Sequence, residues 1–232
     1  MGGDCEMFER RINIFTGHFG SGKTEVAVNF ALKLAEANFK TSIVDFDIVN
    51  PYFRTADAKE ELEKNNIWVI LPMYANTNVD VPAIPSEIYA LFQNKEYKAV
   101  LDVGGDDLGA KAVSRFREEI VSDDYDMFFV INTRRGMTDT VEKIMEMIAL
   151  VEDSANIKVT KLINNSNLLE ETTPEIILEG NEIIAQVSEK LGIPIAITAA
   201  MEDVMSSLSR DQLSGSELLP MRKQIHLPWN KG

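Results

Sequence analysis

The sequence predicts an α/β fold built on a mostly parallel, doubly wound sheet flanked by helices on both faces. Three observations carry this expectation. Short apolar runs rich in β-branched residues alternate with stretches of helical periodicity. The runs are close to continuously apolar, as strands buried on both faces require. The first junction between such a run and a helix is rich in glycine, where an α/β sheet presents its ligand site.

The 232 residues, 45% hydrophobic and 26% charged, fit one α/β domain, read over residues 8–226 with tails at 1–7 and 227–232. Asp plus Glu number 37 against 23 Lys plus Arg, a net charge of −14. That field repels phosphodiester backbones and anionic headgroups, so neither nucleic acid nor membrane is an expected partner. The basic stretch Met221-Arg222-Lys223-Gln224-Ile225-His226 is too short for a membrane-surface helix and reads as a solvated tail. Cys5 is the single cysteine, so neither an internal disulfide nor a thiolate metal cage within one chain can form. No run approaches the ~18 apolar residues of a membrane span. The leader Met1-Gly2-Gly3-Asp4-Cys5-Glu6 carries acids where a signal peptide carries bases, which points to the cytoplasm.

Strands are expected at residues 12–15, 41–46, 67–71, 99–103, 127–131, 159–163 and 194–197. A helix should run from about Gly22 to Ala37. A second should cover 138–151, where Val141, Ile144, Met145, Ile148 and Val151 recur at helical spacing and the methionines read as core filler. A third should begin at Thr173-Pro174, an N-cap residue followed by proline at the first helical position.

Gly17-His18-Phe19-Gly20-Ser21-Gly22-Lys23-Thr24 matches the phosphate-binding pattern G-x-x-x-x-G-K-[ST] at every fixed position, following an apolar strand and opening an apolar-faced helix. Glycines permit the torsions that aim successive N–H groups at phosphate oxygens, beside the positive end of a helix dipole. Residues 17–24, with Glu25 beside them, are therefore the expected nucleotide cradle. Lys23 should reach the β- and γ-phosphates and the Thr24 hydroxyl should ligate Mg²⁺.

Polar groups directly after buried runs complete such a site. Asp102, followed by Val103-Gly104-Gly105, is placed to hold the metal through water, with the Gly105 backbone near the γ-phosphate. Asp45 and Asp47 face one side of an extended chain. Asp47, the later of the two, is the candidate to orient or deprotonate the attacking water and to approach the metal, while Asp45 is expected to bond backbone or the loop helix. Arg54 is expected to pair with an acid. Asn164-Asn165-Ser166-Asn167 either reads a base edge or forms a plain asparagine turn. The absence of an N-K-x-D guanine signature favours ATP.

Together, Gly17 to Thr24, Asp45-Phe46-Asp47, Asp102-Val103-Gly104-Gly105 and Asn164-Asn165-Ser166 resemble the MinD/ParA-type P-loop ATPases, relatives of the nitrogenase iron protein and of CobQ/CobB-like nucleotide-binding domains. The resemblance spans most of the chain. It implies an ATP-dependent, Mg²⁺-requiring switch that often dimerises around nucleotide. The implied roles are Lys23 and Thr24 on phosphate and metal, Asp102 on the metal, Asp47 at the water and Asn165 at the adenine. One position departs from the family, whose second lysine directly follows the first loop glycine; His18 stands there. The phosphate side is then one cation short unless His18 is protonated or Arg54, Arg134 or Arg135 supplies the charge, and for Arg134 and Arg135 ordinary solvation is the default. The missing C-x-x-C excludes a cluster bridged by paired cysteines, no C-terminal amphipathic helix suggests MinD-like membrane cycling, and the acidic surface opposes ParA-like DNA binding. What remains is a partner-stimulated switch for assembly or activation of another protein. The alternatives are a small-molecule kinase or ligase of the dethiobiotin-synthetase kind, with residues 73–85 lining a substrate pocket, and a scaffold that binds nucleotide without hydrolysing it.

Overall fold

The computed structural model describes residues 6–46, 55–72, 86–105 and 107–225. Along the chain these form β1 (Ile12–Thr16), α1 (Lys23–Glu36), β2 (Thr41–Phe46), α2 (Lys59–Lys64), β3 (Trp68–Ile70), α3 (Glu87–Gln93), β4 (Lys98–Val103), α4 (Asp107–Ser114), α5 (Arg117–Val121), β5 (Tyr125–Ile131), α6 (Val141–Ala155), β6 (Lys161–Asn164), α7 (Pro174–Leu191), β7 (Ile195–Met201), α8 (Glu202–Met205) and β8 (Glu217–Met221). The strands form one sheet in the order β3-β2-β4-β1-β5-β6-β7-β8, and every pairing is parallel.

Neighbouring residues along the strands feed opposite cores. Ile12 and Ile14 of β1, with Met127, Phe129 and Ile131 of β5, pack beneath α3 to α7. Phe15, Phe128 and Val130 point to the other face, against Val26, Phe30, Ala31 and Leu34 of α1. There Phe15 stacks on Phe128 at 5.0 Å between ring centroids, with Phe30 tilted against both. Burial on both faces is what the continuous apolar runs encode. Because α1 covers one face while the helices after β4 and β5 cover the other, the connections diverge around β1 and open a crevice at its carboxyl end.

The structure departs from expectation where side chains compete with the backbone. β6 starts at Lys161 rather than at 159: the Val159 N–H donates to Glu152 at 2.9 Å, and the Thr160 hydroxyl oxygen accepts the Met127 N–H at 2.9 Å. α6 starts at Val141 because Thr138 donates its hydroxyl to the Asn132 carbonyl at 2.8 Å, closing a turn, while Thr140 caps the helix. α7 begins at Pro174 as expected, but the Thr173 hydroxyl bonds the Glu175 carboxylate and holds that carboxyl below its ordinary range. The eighth strand was not expected at all. Its sequence, Glu-Leu-Leu-Pro-Met, contains a proline that the ladder tolerates because, among the described residues, β8 has a neighbour on one side only. The supposed solvated tail is thereby corrected: Met221 and Ile225 are buried in the α1-side core. Met7, placed among the tail residues, is buried there too.

At the amino end of the sheet Asp123 accepts from Arg11 Nε at 2.6 Å and Lys95 Nζ at 2.7 Å. Burial pushes its carboxyl pKa upward, but the Arg11 and Lys95 bonds and the Asp124 N–H outweigh it and bring the value down to about 2. Its folded pKa thus lies below the ordinary carboxylate value, so the stabilisation is present above pH ~4 and lost as pH falls toward 2. Asp123→Asn should cost about 2 kcal/mol at pH 7 in urea unfolding. The gap between variant and parent should narrow as the pH is lowered from 4 to 2.5.

Candidate functional site

β1 ends at Thr16 and α1 begins at Lys23, so six residues make the entire connection. Gly22 occupies the N-cap of α1 in the left-handed region, at φ 82°, and no side chain caps the first helical N–H groups. Those donors, backed by the helix dipole, can hold an anion. A side chain at 22 would be strained by that torsion, and its Cβ would lie 2.5 Å from Asn165 Nδ2. On the opposite side the loop after β4 lies against the cradle: a Cβ on Gly105 would come 1.9 Å from the Gly17 carbonyl oxygen.

Lys23 and Asp102 face each other inside this junction, with Nζ 3.8 Å from Oδ1. Asp102 has 0% exposure, and its Oδ2 accepts the Thr55 hydroxyl at 3.1 Å. The register sets Asp45 of β2 directly beside Asp102 of β4, also buried. Two buried carboxylates on adjacent strands concentrate negative charge beside Lys23. With the buried Thr24 next to Lys23, the donors are hard oxygens of the kind Mg²⁺ takes. The site therefore fits the expected metal by the chemistry of its ligands. Asp47, Arg54 and the segment 73–85 lie outside the described residues.

The asparagine cluster is a buried lacing of two loops. Asn132, at the end of β5, donates its amide to the Asn167 carbonyl at 3.1 Å and accepts the N–H groups of Asn167 and Arg134. Ser166 accepts from the Thr133 hydroxyl at 3.0 Å. From this lacing Asn165, expected at the adenine, donates Nδ2 to the Ser21 carbonyl at 2.7 Å. Arg135 reaches the same loop one residue earlier, Nε donating to the Gly20 carbonyl at 3.1 Å. Simple solvation does not describe Arg135, although its side chain is exposed; Arg134 beside it pairs with Glu179.

Glu25 engages the segment after β8. Its carboxylate accepts the Gln224 N–H at 2.6 Å and the Ile225 N–H at 3.2 Å, while Asn29 exchanges bonds with the Arg222 backbone at 2.9 and 3.0 Å. The segment after β8 is thus latched onto the loop helix. His18 is half-buried with Nδ1 2.9 Å from the Phe19 carbonyl oxygen, and Phe19 stands 69% exposed at the loop's tip. Thr55 and the Asn132–Thr133 pair were missed from sequence. The rule that flags polar residues after apolar runs would have found Asn132; nothing in the pattern distinguishes Thr55.

Residues 7–176 match the ParA family model described as NUBPL iron-transfer P-loop NTPase. The chain belongs to this family. Among curated proteins it is similar to the cytosolic Fe-S cluster assembly factor Nubp2 homolog of Aedes aegypti, 28% identical over 158 residues, covering 67% of this chain and 58% of that protein. The Anopheles gambiae Nubp2 homolog is 27% identical over 187 residues, covering 79% of this chain and 65% of that one. The chain thus spans less than two thirds of the length of either relative. Among solved structures, FtsY from Mycoplasma mycoides aligns over 90% of this chain and 68% of its own at TM-score 0.56 and 19% identity. FtsY from Thermotoga maritima aligns over 82% and 62% at TM-score 0.55 and 19% identity. These two share the fold. No described helix is long and apolar enough to cross a membrane.

Replacing Glu25 with Ala removes the acceptor of two backbone N–H groups. Hydrogen exchange at Gln224 and Ile225 should accelerate at least tenfold, and the protein should lose ~1–3 kcal/mol in chemical unfolding.

Proposed function

We propose that this ParA-family NTPase is a Mg²⁺-dependent ATP switch, slow in isolation and accelerated by a protein whose assembly or activation it serves. The observation that carries the reading is the buried Lys23–Asp102 pair, set between the uncapped start of α1 and the Gly105 turn. In that arrangement Lys23 binds the β- and γ-phosphates, and the backbone of residues 17–24 wraps them. Thr24 and Asp102 hold the metal side, Asp102 through water. Bound Mg²⁺ would neutralise charge between the two terminal phosphates. Asp47 orients the attacking water and approaches the metal. Asn165 is assigned to the adenine through its amide oxygen, since its Nδ2 is engaged by the Ser21 carbonyl.

The names of the curated relatives suggest a partner in iron–sulfur assembly and a cytosolic location. This sequence offers one cysteine, Cys5, so paired thiolates for a cluster must come from the partner rather than from this chain. Exposed Phe19 at the loop's tip, and exposed Met137 two residues beyond Arg135, give apolar side chains for a nucleotide-dependent contact, with a second copy or with that partner.

Isothermal calorimetry tests the binding step: Lys23→Ala should abolish Mg-ATP binding, and retention of parental affinity would refute the assignment. Asp47→Asn should leave binding largely intact while slowing hydrolysis ~10²-fold or more, read as phosphate release in single turnover. Light scattering with ADP and with a non-hydrolysable ATP analogue reports the dimer. A mass that never changes would remove that part of the proposal, and a small molecule that stimulates turnover and is itself phosphorylated would replace the switch with a kinase.

A further inference from the structure

Arg135 is mounted as a fixed cation at the rim of the phosphate loop. The turn that carries it is closed three ways: the Arg135 N–H donates to the Asn132 carbonyl, the Thr138 N–H returns to the Arg135 carbonyl at 2.8 Å, and the fully buried Thr138 hydroxyl donates to Asn132. Lys143 Nζ adds a bond to the Gly136 carbonyl at 2.8 Å. The guanidinium is then pinned on Gly20, with its central carbon 3.8 Å from where a Gly20 Cβ would sit. That bond gives up in advance part of the rotamer entropy that a long side chain ordinarily loses on binding.

Its charge is not consumed locally. Arg10, Arg11, Arg134, Arg210 and Arg222 each pair with a carboxylate. Among the described residues Arg135 has no such partner, in a chain of net charge −14. Lys23, the other cation of the loop, shares its charge with Asp102. His18 contributes a ring that lies along the loop backbone, beside the Phe19 carbonyl.

We propose that Arg135 is the second phosphate-side cation of this site, favouring nucleoside triphosphate over diphosphate through the extra charge of the terminal phosphate. This rests on the nucleotide reading above. It acts from the loop after β5, within one chain, and its guanidinium is held by the loop it serves.

Two substitutions separate charge from bracing. Arg135→Gln keeps an amide donor for the Gly20 carbonyl and removes the charge; Arg135→Lys keeps the charge. By calorimetry with Mg²⁺, Arg135→Gln should weaken binding of a non-hydrolysable ATP analogue about tenfold and ADP by less than threefold, with Arg135→Lys recovering most of the loss. The salt dependence of analogue binding should flatten in Arg135→Gln alone. Equal weakening of both nucleotides in both variants would make Arg135 a brace and overturn the proposal, as would parental affinity in Arg135→Gln. If the parent binds neither nucleotide, the nucleotide reading fails first, a result distinct from either.

Discussion

A loop that turns its N–H groups toward an anion must point carbonyl oxygens elsewhere, and one in a buried position, such as that of Ser21, must find a protein donor. Unpaired carbonyls in that position cost ~1–3 kcal/mol each, enough to favour another loop conformation. The fold meets this constraint with two side chains: Arg135 takes the Gly20 carbonyl and Asn165 takes that of Ser21. Strand order makes this feasible, since β5 adjoins β1 and β6 adjoins β5, so the loops after these strands lie side by side next to the cradle. The Asn132–Asn167 and Thr133–Ser166 bonds fuse those loops into one support. The cradle thus depends on a polar framework about 110 to 145 residues away in the chain.

On the other flank the constraint is electrostatic. Asp45 and Asp102 share a register level at the end of a sheet that carries an apolar core on each face. A low-dielectric wall strengthens every charge interaction at its edge, which is why Lys23 can remain buried and why Thr55 is recruited as a donor. The site thus stands between a brace of hydrogen bonds that carries Arg135 and an ionic pocket around Asp102, with the uncapped start of α1 between them.

What the sequence disclosed follows the range of each interaction. The phosphate loop is encoded in eight consecutive residues, and Asp102 is marked by the apolar run that it ends. Strands buried on both faces were legible because each announces itself locally. β8 was not, since Pro220 speaks against a strand until its edge position is known. The bonds of Glu25 to Gln224 and Ile225 were not legible, since adjacency to Thr24 in sequence becomes about 100° of rotation around a helix and the acceptors' partners lie some 200 residues away. The support formed by Asn132, Thr133, Ser166 and Arg135 is illegible in principle without the strand order, because it exists only once two distant loops have been brought together.

The latch between α1 and the segment after β8 has a consequence in time. Glu25 and Gln224 are 199 residues apart in the chain, Glu25 and Ile225 200. During synthesis the helix that opens the phosphate loop leaves the ribosome long before the segment that closes over it, and domains of this topology form their long-range pairings late. A nascent or prematurely terminated chain therefore carries the phosphate loop on a helix lacking its final contacts. The helix acquires them only after the eighth strand has been made, so the scaffold of the phosphate loop is completed from the far end of the same sheet.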